Sequence, residues 1–88
     1  YATYDTLLIA VYGYYKLMYA NGNKQEITEG LKISELVSEW VYNETLRYEM
    51  AKGYLALENK ESSRKLLHEI MTKTPNFKEA KTLLEQIK

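Results

Sequence analysis

The chain has 88 residues, of which 45% are hydrophobic, so it has enough apolar side chains to form the core of one small domain. Its 12 Lys and Arg side chains balance 12 Asp and Glu side chains, whereas a nucleic-acid-binding domain needs a positive excess to release counterions from phosphates. We therefore expect no nucleic-acid partner. The absence of cysteine excludes disulfide bonds and thiolate metal sites.

Residues 1–20 are apolar but lack the pattern of a membrane span or a signal peptide. They contain Asp5, Lys16 and six tyrosines, which interrupt the run of about 18 uncharged apolar residues that a spanning helix requires. They also lack the basic start and small-residue cleavage site of a signal peptide. We therefore predict no membrane-spanning segment within this chain.

Apolar residues recur at spacings of three and four, which predicts amphipathic helices. We place five helices near residues 3–20, 24–38, 43–57, 60–73 and 76–88. On the first helix this spacing selects a predicted core face that includes the following residues: Tyr4, Leu7, Leu8, Val11, Tyr15 and Met18.

Asparagines mark the predicted starts of the later helices: Asn23, Asn43, Asn59 and Asn76. Glu26, three residues after Asn23, completes a capping-box pattern. Pro75 disfavours helix at the residue before it. Residues 38–43 contain neither Gly nor Pro, so the second and third helices either run together or separate at the Asn43 cap.

The segment 43–75 resembles one tetratricopeptide repeat, whose pattern is W-x2-L-G-x2-Y, then A-x3-F, then P, within about 34 residues. The matching positions keep every spacing: Arg47, Met50, Ala51, Tyr54, Ser63, Leu67 and Pro75. The resemblance implies an all-α domain of antiparallel helical hairpins in a right-handed array that binds other polypeptides. Small Ala51 and Ser63 would let two helices cross closely, while Arg47 and Ser63 depart from the family's aromatic and alanine.

The rest of the chain extends this interpretation to a single domain over residues 1–88. Residues 1–40 form a degenerate first hairpin, and residues 76–88 form a following or capping helix. In the first hairpin Tyr15, which we expect in the core, and Ile27 are too bulky for a close crossing, so this hairpin should be splayed or differently packed.

Residues 23–36, followed by the better repeat, are also similar to the cytosolic domain of the tail-anchored mitochondrial fission adaptors. Gly30 and Leu31 match the Gly-Leu/Ile step that begins the apolar face of the corresponding helix in that family. This similarity implies an adaptor role and a cytoplasmic or cytosol-facing location.

The sequence contains no pattern typical of a catalytic or metal site. His68 is the only histidine and lacks partners at ligand or nucleophile–base spacing, so we interpret it as a surface residue of the fourth helix. The four glycines are isolated, which excludes a glycine-rich phosphate loop. We therefore predict a non-enzymatic protein with no cofactor and no metal.

A shift of 36 residues aligns Tyr12 with Tyr48 and Lys16 with Lys52. If the repeat register holds, one concave face carries a predicted peptide-binding set: Tyr12, Lys16, Tyr19, Tyr48, Lys52 and Leu55. Lysines between aromatic rings would favour an acidic peptide. The alternative is that the tyrosines pack against further repeats or a second copy, which would make the chain a structural self-assembly domain.

Overall fold

A computed structural model describes residues 4–87, which form five α-helices and contain no β-strand. The helices are α1 (Tyr4–Met18), α2 (Lys24–Val37), α3 (Glu44–Ala56), α4 (Lys60–Lys73) and α5 (Lys78–Ile87). The predicted all-α class and five helices are confirmed. Within the described residues no helix combines the length and apolar character needed to cross a membrane.

Three predicted asparagine caps are confirmed, because each side-chain Oδ1 accepts a hydrogen bond from a backbone N–H three residues later. The distances are 3.0 Å from Glu26 to Asn23, 2.9 Å from Leu46 to Asn43 and 3.1 Å from Ser62 to Asn59. The Asn43 cap separates α2 from α3, so the two helices do not run together.

Two details of the predicted helix starts are wrong. The Glu26 carboxylate does not close a capping box, because it accepts a hydrogen bond from the Lys16 ammonium while the Asn23 N–H donates to Ala20 O. The last helix begins at Lys78, so Asn76 lies one residue too early to be its cap. Phe77 N–H instead closes a turn onto Thr74 O.

The helices pack mainly as neighbouring pairs, α1 with α2 and α3 with α4, while α5 packs on α4 and α3 contacts both helices of the first pair. The second pair crosses at Ala51 and Ser63, as the repeat pattern predicts. Both residues are fully buried, and Ser63 Oγ donates a 2.8 Å hydrogen bond to the Ala51 carbonyl. A small side chain at each position therefore allows close contact between α3 and α4.

Arg47 lies where the tetratricopeptide pattern has an aromatic residue, and it connects α3 with α4 and with the turn after α2. Its guanidinium lies 2.6 Å from the Glu69 carboxylate on α4 and donates a 2.8 Å hydrogen bond to Ser38 O in the turn after α2. Its side chain is only 13% exposed, so these contacts are largely shielded from solvent. Polar contacts therefore hold this position of α3 against its neighbours.

The first pair is packed differently from the second but is not splayed, because it crosses closely through residues that the apolar spacing did not select. A β-carbon at Gly13 would lie 2.6 Å from Ser34 Oγ, and one at Gly30 would lie 2.9 Å from the Leu17 side chain. The buried face of α1 is therefore Ala10, Gly13 and Leu17. The prediction that Tyr15 belongs to the core is wrong, because its side chain is 49% exposed.

Candidate interaction surface

The predicted site residues in the first hairpin are Tyr12, Lys16 and Tyr19. Tyr12 and Tyr19 are 57% and 71% exposed, whereas the Lys16 side chain is only 16% exposed. Lys16 Nζ lies 2.7 Å from Glu26 and 3.1 Å from Glu29. Hydrogen bonds to Glu26 and then to Glu29 raise the pKa of Lys16 well above its ordinary value. Lys16 is therefore charged, but two carboxylates of α2 neutralise it.

The predicted site residues on α3 are Tyr48, Lys52 and Leu55. Lys52 Nζ lies 4.8 Å from the centre of the Tyr48 ring and 3.0 Å from the Glu49 carboxylate. The Tyr48 ring also lies 5.5 Å from the Phe77 ring, which follows α4. Leu55 is half-buried against the core of the second hairpin. The Lys52 ammonium is therefore, like that of Lys16, paired with a carboxylate of the same chain.

The structure brings together each tyrosine with its lysine, and the two tyrosines line separate concavities. Tyr12 and Lys16 line a concavity of about 590 Å³ with residues of α2, including Ile33 and Leu36. Tyr48 lines another concavity of about 450 Å³ whose other lining residues belong to α5: Lys78, Glu79, Thr82, Leu83 and Gln86. These two concavities share no lining residue, and neither presents a free excess of positive charge.

The apolar spacing of the sequence did not reveal where the exposed apolar side chains concentrate, because it assigned several of them to the core face of α1. In the part of the chain that the structure describes, every exposed large hydrophobic side chain lies between residues 4 and 40. Six of them, from α1 and the residue that follows it, share one face that we call the outer stripe: Tyr4, Leu8, Val11, Tyr12, Tyr15 and Tyr19.

The outer stripe is a continuous uncharged surface. At 3.6 residues per turn its six residues fall within an arc of about 100°, the width of the apolar face of a helix that packs against a partner. The Tyr15 and Tyr19 rings are stacked, with centres 5.8 Å apart and planes 8° apart. The charged residues Asp5 and Lys16 lie outside this arc.

An apolar groove adjoins the outer stripe between α1 and α3. It has a volume of about 330 Å³, and its lining includes Leu7, Val11 and Tyr14 of α1 together with Leu46 of α3. Val11 belongs to both the groove and the stripe, so the two features form one apolar region. Such a region can bind an apolar side chain from a partner helix.

The metal-ligating side chains of residues 4–87 are dispersed over the surface and the helix faces. His68 is exposed on α4, as expected. Within the described residues no group of three or more His, Asp or Glu side chains is arranged to hold a metal ion. The polar side chains near the apolar region, such as Asn43 and Thr45, do not form a nucleophile–base pair.

A scan against protein-family models and searches of the curated proteins and the solved structures found no significant match to this chain.

Proposed function

We propose that this chain is a non-enzymatic protein–protein interaction module that binds another polypeptide through the outer stripe of α1. The observation that carries the proposal is the concentration of exposed large hydrophobic side chains on α1 and their absence from described residues 41–87. Exposed apolar side chains that occur singly need no explanation, whereas a contiguous patch marks an interaction site.

The size of the patch supports this proposal. The four tyrosines of the outer stripe are 49–76% exposed. If each tyrosine side chain offers about 200 Å² of surface, they alone expose about 500 Å². Leu8 and Val11 bring the stripe to about 600 Å², near the upper limit for the largest apolar patch of a typical monomer. Covering such a surface with a partner removes it from water.

The tetratricopeptide-like interpretation is part of the same proposal. It is supported by the helix pairs, by the fully buried crossing of Ala51 and Ser63, and by the Asn43 cap at the start of the segment 43–75. The similarity to the mitochondrial fission adaptors stays a prediction, and the close approach of Gly30 to Leu17 gives that glycine a packing role independent of family.

A second candidate function is binding of an acidic peptide by the predicted Tyr/Lys set. The two cation–π contacts, Lys16 with Tyr12 at 5.9 Å and Lys52 with Tyr48 at 4.8 Å, favour it. However, the carboxylates that pair with both lysines would compete with an acidic ligand. We therefore rank the outer stripe first.

A photo-crosslinking experiment tests the proposal even while the partner is unidentified. A benzophenone amino acid replaces Tyr12 in the outer stripe and, as a control, Lys81 on the exposed side of α5. After irradiation of the cells that make the protein, we expect a protein adduct from position 12 and none from position 81. Absence of any adduct at position 12 would overturn the proposed function.

A further inference from the structure

The outer stripe has a symmetry that identifies one kind of partner. Its residues fall into three pairs, each centred midway between Val11 and Tyr12: Tyr4 with Tyr19, Leu8 with Tyr15, and Val11 with Tyr12. When two copies of such a helix lie antiparallel about a two-fold axis at that centre, each residue faces its own pair member on the other copy. The stripe is therefore self-complementary.

The spacing along the stripe also suits packing of one helix against another. From Tyr4 to Tyr19 the stripe residues Leu8, Val11 and Tyr15 lie three or four residues apart, which is the spacing of a helix face that packs against another helix. The pairing places the smaller Leu8 opposite the larger Tyr15, so the two surfaces can interdigitate. The buried residues of α1 lie on the opposite face of the helix, which packs against α2, so the stripe faces outward.

Charge does not oppose association of two copies. The stripe itself contains no charged residue, so self-association brings no like charges together. Lys16 beside the stripe is already paired with Glu26 and Glu29. Antiparallel helices also place the positive end of one helix dipole beside the negative end of the other.

The area is sufficient for a reversible dimer. Two stripes of about 600 Å² would bury about 1,200 Å² in total, the lower limit of specific protein–protein interfaces. A larger, obligate interface would bury more than about 2,000 Å². An interface of this size is expected in a reversible dimer and not in an obligate one.

We infer that the partner of the outer stripe is a second copy of this chain, bound antiparallel through α1 about an axis between Val11 and Tyr12. This inference rests on the proposed function, because it names the polypeptide that the same surface binds.

Sedimentation equilibrium from about 1 to 300 µM tests the dimer. We expect the unmodified chain to dimerise and Tyr12→Glu, which places two like charges at the axis, to raise the dissociation constant at least tenfold. The matched control, Trp40→Glu, changes a 53% exposed aromatic residue outside the stripe and should leave the constant within twofold. A monomeric chain at every concentration, or equal weakening by both substitutions, would overturn the inference.

Crosslinking between single cysteines tests the antiparallel arrangement, since the chain contains no natural cysteine. Paired helices lie about 8–10 Å apart, so a bismaleimide of about 10 Å should link two copies of Tyr12→Cys. Two copies of Tyr4→Cys should not be linked, because antiparallel pairing separates these positions by about 22 Å along the helices. A mixture of Tyr4→Cys and Tyr19→Cys should be linked, whereas efficient linking of Tyr4→Cys to itself would overturn the arrangement.

These results distinguish the inference from the proposed function on which it rests. A monomeric chain whose position-12 photoprobe captures a different protein would overturn the dimer and support the interaction module. A monomeric chain whose photoprobe captures nothing would overturn both. A dimer linked as described would support both.

Discussion

Replacing Ala51 with leucine tests the crossing of α3 and α4 on which the repeat interpretation depends. Ala51 is fully buried, and its carbonyl accepts the 2.8 Å hydrogen bond from fully buried Ser63. Leucine adds three carbon atoms where α3 and α4 leave no space, so the helices must separate or the side chain must adopt a strained rotamer. We expect a loss of about 1–3 kcal/mol in the free energy of unfolding, the usual cost of overpacking a core.

Urea unfolding monitored by circular dichroism measures this loss, with Ala56→Leu as the matched control. Ala56 ends the same helix and is exposed, so the same substitution there should change the free energy of unfolding by less than about 0.5 kcal/mol. Equal effects at the two positions, or a change below about 0.5 kcal/mol for Ala51→Leu, would refute the close crossing.

Three further predictions concern the first hairpin, a helix cap and alkaline pH. Gly30→Ala should lower the free energy of unfolding by about 1 kcal/mol in urea, because overpacking against Leu17 outweighs the gain in helix propensity; a stabilised variant would contradict the close contact. Asn43→Ala should cost about 1 kcal/mol in thermal unfolding, since the Leu46 N–H loses its acceptor; an unchanged Tm would contradict the cap. Burial raises the pKa of Tyr42, and hydrogen bonds to carboxylates raise that of Lys16, so the folded chain holds these protons more tightly than the unfolded chain. Their contribution to stability is therefore complete below about pH 10 and is lost above it as the pH rises through the folded values; a Tm that rises between pH 9 and 11 would contradict this sign.

Helices and caps could be predicted from the sequence because the interactions that define them are local. The apolar spacing of three and four depends only on helical geometry, and each asparagine cap needs one backbone N–H three residues away. The crossing of Ala51 with Ser63 was also predictable, because small residues at these two positions of the tetratricopeptide pattern allow two helices to approach closely. The same reasoning missed the cap of α5 by one residue, because helix ends depend on local turn geometry.

The buried face of α1 could not be predicted from apolar spacing alone. Both faces of this helix carry hydrophobic residues, and the larger side chains suggest a core face that includes Tyr15. In the structure the inward face is formed by Ala10, Gly13 and Leu17, because the absence of a side chain at Gly13 allows α2 to approach closely. The close approach leaves Tyr12, Tyr15 and Tyr19 on the outside, whereas Tyr14 packs against the core.

The predicted Tyr/Lys set depended on the 36-residue alignment, which matches sequence positions but not packing environments. Lys16 forms ion pairs with α2, whereas Lys52 forms one within α3. Which carboxylate a lysine contacts depends on how helices cross, and the first hairpin crosses at Gly13 and Gly30 instead of at the aligned positions. The sequence therefore indicated an unusual concentration of tyrosine but not the surface it forms.

Hydroxyl-radical footprinting of the tyrosines tests most directly whether the outer stripe is covered by another polypeptide. Oxidation of Tyr12 and Tyr19 would be measured by mass spectrometry in the purified chain at about 1 µM and in the cells that make it, with exposed Trp40 as the internal reference. We predict that both tyrosines react several-fold more slowly than Trp40 in cells, relative to the dilute chain, because a partner excludes solvent from α1. Equal relative rates in the two samples would contradict the central claim that this face binds a polypeptide.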